Sequence, residues 1–276
     1  MKREEIPIRD PFVFVEDGVY YLLGTTTDDP WGKGSNFTLY ISTDLKYFDK
    51  KCLMITDGSL DSYTNLWAPE LHKYRGKYYL IVSAFREDQG RGSFIFVSDY
   101  LGGNFKMLTG EIITPKGWDC LDATLFVHDG KPYLCFSNEW TTPISRDGDG
   151  SLFIAELKED LTEIVGEPKK IVSGKASGIA IEVGDDKVKG YIAEGPWLYE
   201  ENGNIVLLWS TIAKNGYMVV KSVSHSGVFG KYEFEKIVFD NDGGHCMSFL
   251  DLNGKRRLVL HQPNISPNER MKLFYI

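Results

Sequence analysis

The chain has 276 residues with 39 acidic against 31 basic side chains, a net charge of −8; this charge repels a phosphate backbone, and no local Lys/Arg cluster offsets it, which excludes nucleic acid as a partner. Apolar residues make up 42% and charged residues 25% of the sequence, a balance that supplies a sizeable core and argues against disorder. Cys52, Cys120, Cys135 and Cys246 are scattered without a CxxC pair, so they read as buried free thiols and not as a zinc or dithiol motif.

From the N-terminus, Met1 opens onto Lys2, Arg3, Glu4 and Glu5 with no apolar stretch behind them. The expectation is therefore no signal peptide, no transmembrane span, no membrane partner and a cytoplasmic location. Asp10 then heads the run DPFVFVEDGVYYLLGT: a polar residue, a short apolar strand, a turn at Asp17-Gly18 and a second apolar strand. Thr38 to Ser42 alternates as a third strand. Glu70 heads ELHKYRGKYYLIVSA with its turn at Arg75-Gly76, and Phe94 to Ser98 follows. Asp122 heads DATLFVHDGKPYLCFSN, turning at Asp129-Gly130, before Leu152 to Glu156. Glu194 heads EGPWLYEENGNIVLLWS, turning at Asn202-Gly203, before Met218 to Ser222. His245 heads HCMSFLDLNGKRRLVLH with Asn253-Gly254 at its centre.

Four of these five dipeptides are Asp-Gly or Asn-Gly, the type that closes tight hairpins. The heads recur every ~50 to 70 residues, a spacing that suits a four-stranded blade with loops, and helical periodicity is nearly absent. These features predict one all-β domain over residues 1–276: a five-bladed β-propeller with blades of about four antiparallel strands. Its last blade draws on both termini, with Lys272 to Ile276 or the first residues completing the sheet. Because the first strand of each blade lines the channel, Asp10, Glu70, Asp122, Glu194 and His245 should converge near one mouth.

A lone acid before proline is ordinarily a solvated turn or an ion pair, but several acids heading strands that face one channel are harder to dismiss. Crowded carboxylates raise one another's pKa and lose hydration, a cost retained where the shifted pKa is useful. Cleaving a glycosidic bond needs such a pair, one carboxylic acid to protonate the leaving oxygen and one carboxylate to activate water or attack carbon. Gly195-Pro196-Trp197 gives Glu194 a rigid, partly apolar setting that favours the protonated acid, and Arg9 beside Asp10 favours an ionised base.

Taken together, Arg9-Asp10-Pro11-Phe12, Trp67-Ala68-Pro69-Glu70, Leu121-Asp122-Ala123-Thr124-Leu125, Glu194-Gly195-Pro196-Trp197 and Gly243-Gly244-His245 resemble glycoside hydrolase family 43 over nearly the whole chain. Members of that family are five-bladed propellers that hydrolyse β-xylosides and α-L-arabinofuranosides. By this resemblance Asp10 is the general base, Asp122 raises the pKa of the acid and orients it, and Glu194 is the general acid of an inverting mechanism. Such a mechanism holds base and acid roughly 6.5–9.5 Å apart. Ala123 departs from the glycine that many relatives carry after this Asp. The implied activity is removal of α-L-arabinofuranosyl or β-xylosyl units from plant-derived oligosaccharides.

His245 resembles the family's central histidine, which sits beside a metal, often calcium; since calcium prefers oxygen ligands, contact through water suits it better than an imidazole shell. A histidine acting on the acids without metal is the equal alternative. Trp31, Trp67, Trp140 and Trp197 are candidate sugar platforms against core packing as the rival, with Trp31 favoured for its Gly-rich loop. Arg270 is a candidate substrate contact or partner of a channel carboxylate, Glu70 a supporting acid, and His261 a packed structural histidine. Two rivals remain. One is a carbohydrate-binding propeller without catalysis; the other is a hydrolase of the same fold acting on a galactoside or fructoside. The fructoside enzymes carry Arg-Asp-Pro in mid-chain beside a separate Asn-Asp-Pro that is missing here.

Overall fold

The computed structural model describes residues 1–25, 31, 37–102, 104–141 and 147–276. The apolar runs pair into antiparallel sheets in chain order. Blade I is β1 (Arg9–Glu16), β2 (Val19–Thr25), β3 (Thr38–Ser42) and β4 (Asp49–Leu53); blade II is β5 (Thr64–Tyr74), β6 (Lys77–Arg86), β7 (Gly90–Ser98) and β8 (Lys106–Met107). Blade III is β9 (Cys120–His128), β10 (Lys131–Asn138), β11 (Ser151–Leu157) and β12 (Ile164–Ser173). A short hairpin of β13 (Val183–Gly184) and β14 (Lys189–Gly190) precedes blade IV, which is β15 (Glu194–Glu201), β16 (Asn204–Ala213), β17 (Gly216–Ser224) and β18 (Tyr232–Phe239). Blade V is β19 (Gly244–Leu250), β20 (Arg256–Gln262) and β21 (Arg270–Tyr275). Inner strands β1, β5, β9, β15 and β19 each touch the next one round and close a ring. This is the five-bladed propeller expected from the repeat. Among the described residues no helix is long and apolar enough to cross a membrane.

The first four hairpin turns have positive φ at both central residues, for example Asp17 at 49° and Gly18 at 78°, the type I′ geometry that matches strand twist. Blade V differs: its strands end at Leu250 and resume at Arg256, and Asp251 holds the longer loop by accepting the N–H groups of Asn253 (2.9 Å) and Lys255 (3.0 Å). Both termini close this blade, since β21 supplies its third strand while Pro7 bridges Arg270 and the Ile8 N–H donates to the Glu269 carbonyl (3.2 Å). The core lies between blades. One apolar cluster joins blades I, II and V, and others join III with IV, II with III, and IV with V.

Each inner strand breaks register at a residue of left-handed backbone, Asp10 (φ 48°), Ala68 (46°), Asp122 (55°), Gly195 (57°) and His245 (48°), and β5 breaks it a second time around Asn65 (51°). The residue just before each bulge pairs with Thr25, Ser83, Ser137, Ser210 and His261 respectively. This register corrects the head alignment read from sequence. Glu194 stands one residue before its bulge, in the row of Arg9 and Leu121, and Glu70 stands two residues beyond its own, in the row of Phe12 and Trp197. A bulge inserts one residue into the strand, and the apolar pattern alone does not mark where.

The bulged backbone N–H groups turn towards the preceding blade. The Ala68 N–H donates to Thr25 Oγ1, that of Asp122 to Ser83 Oγ and that of His245 to Ser210 Oγ, each at 2.8 Å, and that of Asp10 to His261 Nδ1 at 3.1 Å. Between blades III and IV, Ser137 Oγ instead donates to the Ala193 carbonyl (2.7 Å), and the Gly195 N–H donates to Asp122 Oδ2 (3.1 Å). Ser83 and Asp122 are both buried, so Ser83→Ala leaves the Asp122 N–H without a partner. The expected cost is about 1–3 kcal/mol of unfolding free energy, measured by urea denaturation; an unchanged midpoint would refute the role of this ring.

Candidate active site

Beside the bulges lies a cavity of about 360 Å³ whose lining includes Asp10, Asp122, Glu194 and His245, from four different blades. The three expected acids therefore meet in one place. Thr25 Oγ1 donates to Asp10 Oδ2 (2.6 Å), and His245 Nδ1 lies 3.2 Å from Asp10 Oδ1 and 3.8 Å from Asp122 Oδ2. Gly195 has left-handed φ, and a Cβ there would meet the His245 ring at 3.1 Å, so a side chain at this position would press the histidine aside. Tyr217 donates its hydroxyl to Glu194 Oε1 (2.7 Å).

Burial opposes charge on Asp10, but His245, Arg9 and the Thr25 hydroxyl outweigh it and hold its carboxyl below the usual range. For Asp122 burial prevails: with Glu194 and Asp10 adding like charge, its pKa is raised to about 7 despite His245. Burial also raises Glu194, against the Tyr217 hydrogen bond and His245. Burial disfavours the His245 cation, yet Asp10, Asp122 and Glu194 together raise its pKa above the ordinary value. The site thus holds an ionised carboxylate, a pair of carboxyls that retains a proton, and a histidine inclined to charge. This is the division of protonation states that acid–base catalysis uses.

Around the rim, Trp31 is 62% exposed and meets Trp67 edge-on, with centroids 5.1 Å apart; both line the cavity, as does Trp140. Arg91 lies 3.9 Å over the Trp67 ring and reaches Glu139 Oε2 at 3.3 Å, so that face of Trp67 is occupied, while Trp31 is the more exposed of the two and has the Arg9 guanidinium 5.9 Å from its ring centre. Two expectations fail. Trp197 stacks on His72, meets Phe12 edge-on and donates Nε1–H to Ser248 Oγ (3.3 Å); being two residues beyond the bulge, it lies ~7 Å farther down the channel in a separate hollow. Arg270 opens the outer strand of blade V, and its guanidinium donates to the Glu4, Pro267 and Glu269 carbonyls, which leaves it tying the termini together away from the cavity. Glu70 is also off the lining, with Oε2 2.8 Å from His72 Nε2.

Among the described residues no group of three or more His, Cys, Asp or Glu side chains is arranged to hold a metal ion. The oxygens nearest His245 are the reacting carboxylates on its Nδ1 side. A calcium shell built from side chains does not fit here, and no step below runs through a metal.

Several lining residues were not singled out as contacts. Arg9 faces the cavity, paired with the fully buried Glu269 at 2.6 Å; its adjacency to Asp10 was the available signal. Glu139, Asn264 and Ser266 also line it, and no motif marks them. His261, expected to be structural, is fully buried and accepts the Asp10 N–H at Nδ1. Its proton therefore sits on Nε2, facing Asn264 Oδ1 at 3.1 Å. Burial lowers its pKa from 6.5 to about 4. As pH falls, the unfolded chain takes up this proton first, so the contribution of neutral His261 to stability is complete above about 6.5 and is lost as pH drops towards 4. Over that window the wild type should lose on the order of 3 kcal/mol more than His261→Gln, measured by urea unfolding at a series of pH values. Parallel pH profiles in the two proteins would contradict the neutral assignment.

Comparison with known proteins identifies the family. The model for glycosyl hydrolases family 43 matches residues 6–264, and the chain belongs to that family. It is 28% identical over 165 residues, 58% of this chain and 47% of that protein, to an extracellular exo-alpha-(1->5)-L-arabinofuranosidase of Streptomyces chartreusis. It is 32% identical over 154 residues, 54% of this chain and 29% of the other, to alpha-L-arabinofuranosidase 43 of Humicola insolens. The chain thus spans less than half the length of these two relatives. An endo-arabinase structure from Bacteroides thetaiotaomicron superimposes with a TM-score of 0.90 at 29% identity, covering 100% of this chain and 96% of that one.

Proposed function

We propose that this family 43 protein hydrolyses α-L-arabinofuranosidic linkages in arabinose-containing oligosaccharides with inversion at the anomeric carbon. The observation that carries this reading is the meeting of three carboxyl groups in one cavity, with Asp10 held ionised while Asp122 and Glu194 are raised. Arabinose as the sugar rests on the relatives just named, whose activities are directed at arabinofuranosides and arabinan.

Glu194 gives its proton to the glycosidic oxygen as the bond from that oxygen to the anomeric carbon breaks. Asp10 takes a proton from a water whose oxygen bonds to the same carbon from the opposite face. The products are a free sugar of inverted configuration, an alcohol leaving group, ionised Glu194 and protonated Asp10; solvent then returns one proton to Glu194 and removes one from Asp10. Asp122, whose Oδ2 accepts the Gly195 N–H next to Glu194, orients the strand that carries the acid, and the Asp10 charge together with burial keeps Glu194 protonated. Trp31 offers the exposed flat face for a sugar.

Asp10→Asn and Glu194→Gln are each expected to lower kcat/KM on α-1,5-linked arabinotriose by roughly 10²–10⁴-fold with thermal unfolding unchanged within a few degrees. Proton NMR should show the inverted anomer first, and an aryl β-D-xyloside should turn over at least about tenfold more slowly than the arabinofuranoside. Full activity in either variant, or retention in the first-formed product, would overturn the proposal.

A further inference from the structure

We propose that Tyr217 is a positioning residue for the acid, confining the transferable proton of Glu194 to Oε2 by occupying Oε1. This rests on the reading of Glu194 as the proton donor and goes beyond it, because it assigns the donating atom and the side chain that selects it. Tyr217 opens the third strand of blade IV, is 1% exposed, and places its hydroxyl 2.7 Å from Glu194 Oε1. Burial holds the phenol far above its ordinary pKa, so Tyr217 keeps a proton to give, and its hydroxyl donates to Oε1. With Oε1 so engaged, a proton on Glu194 resides on Oε2, for which no hydrogen-bond partner is found among the described residues.

The phenol is fixed from several sides. Its ring stacks on His261, with centroids 5.6 Å apart and planes at 24°. A Cβ on Gly244 would lie 2.5 Å from Tyr217 Cε1, so the ring rests directly on the glycine preceding His245. Its backbone N–H donates to Asp242 Oδ1 (3.4 Å), and its carbonyl accepts the Gly243 N–H (2.8 Å). His261 in turn accepts the Asp10 N–H, so a single aromatic stack connects the supports of acid and base. A tyrosine serving only as packing would satisfy its hydroxyl with backbone or water; this one spends it on the reacting carboxyl.

The bond also stabilises the charged form of Glu194, opposing burial. Removing it should make the acid hold its proton to higher pH while losing control of which oxygen carries it. Tyr217→Phe keeps the ring and deletes the donor. On α-1,5-linked arabinotriose it is expected to lower kcat by roughly 10- to 100-fold with KM changed less than about threefold. On 2,4-dinitrophenyl α-L-arabinofuranoside, whose leaving group needs no proton, the fall should stay within about threefold. The alkaline limb of kcat/KM should move up by about half to one pH unit, and the acid limb, governed by Asp10, should not move.

Equal losses on the two substrates, or an unmoved alkaline limb, would reduce Tyr217 to packing and overturn the proposal. An active Glu194→Gln enzyme would instead sink the assignment of the acid itself, so the two failures are distinguishable. If Tyr217→Phe does not fold, 3-fluorotyrosine at this position decides the matter: its more acidic hydroxyl should move the alkaline limb down, and no movement would refute the role.

Discussion

The backbone N–H released at each inner-strand bulge has to find an acceptor in the blade before it, and the site is arranged around that requirement. A buried N–H without a partner costs about 1–3 kcal/mol, and a non-glycine residue in left-handed backbone costs of the order of 1–3 kcal/mol more. Asp10, Asp122 and His245 incur the second cost and escape the first through His261, Ser83 and Ser210. Thr25 has two parts: its oxygen accepts the Ala68 N–H while its proton goes to Asp10 Oδ2. One hydroxyl therefore joins blade I to blade II and orients the base. Positioning and blade closure are the same set of bonds, which accounts for reacting groups on strand ends and not on loops.

Drawing carboxyl groups to one axis creates the electrostatic asymmetry that the chemistry needs. Asp10 and Asp122 are buried and Glu194 is half-buried, so desolvation acts on each, and the sorting comes from what lies beside them. Asp10 has Arg9, the Thr25 hydroxyl and His245 around it and stays ionised. Asp122 and Glu194 repel each other and Asp10, and so retain a proton between them. Arg9 is itself tied to buried Glu269, leaving its charge in place beside Asp10 while one carboxylate offsets it. Two titrating groups pushed apart by their surroundings are the usual basis for distinct acid and base roles.

Much of the architecture was legible because it is local. Two-residue turns such as Asp17-Gly18 and strict apolar alternation specify hairpins from neighbouring residues alone, and four of the polar heads, Asp10, Asp122, Glu194 and His245, do line the cavity. The bulges were not legible, since an inserted residue shows only when two strands are paired. That one missing offset explains why Glu70 and Trp197 lie down the channel although their sequence context resembles that of Asp10. Arg270 misled for another reason: it is near the site in sequence terms, yet its strand is the outer one of blade V. Tyr217 gave no signal, because a tyrosine in an apolar strand is ordinarily core, and only coordinates reveal what its hydroxyl touches.

The two channel histidines show how far neighbours override intrinsic chemistry. His245 and His261 belong to adjacent strands of blade V and both lie near Asp10, His261 fully buried and His245 half-buried. Proximity to that carboxylate alone would favour charge on both. His261, however, is fully buried, and Arg9 and His245 add like charge, so its pKa falls to about 4; the neutral ring then uses Nδ1 to accept a backbone N–H, which a protonated imidazole cannot do. His245 accepts no backbone N–H among the described hydrogen bonds and faces Asp10, Asp122 and Glu194, whose combined field raises it. A scaffold bond thus fixes one imidazole as a neutral acceptor, and the carboxylates hold the other ready to carry charge. Were His261 to protonate, the Asp10 N–H would lose its acceptor and the ring of interblade bonds would open at the base. The neutral state of His261 is therefore what keeps the Asp10 backbone tied to blade V.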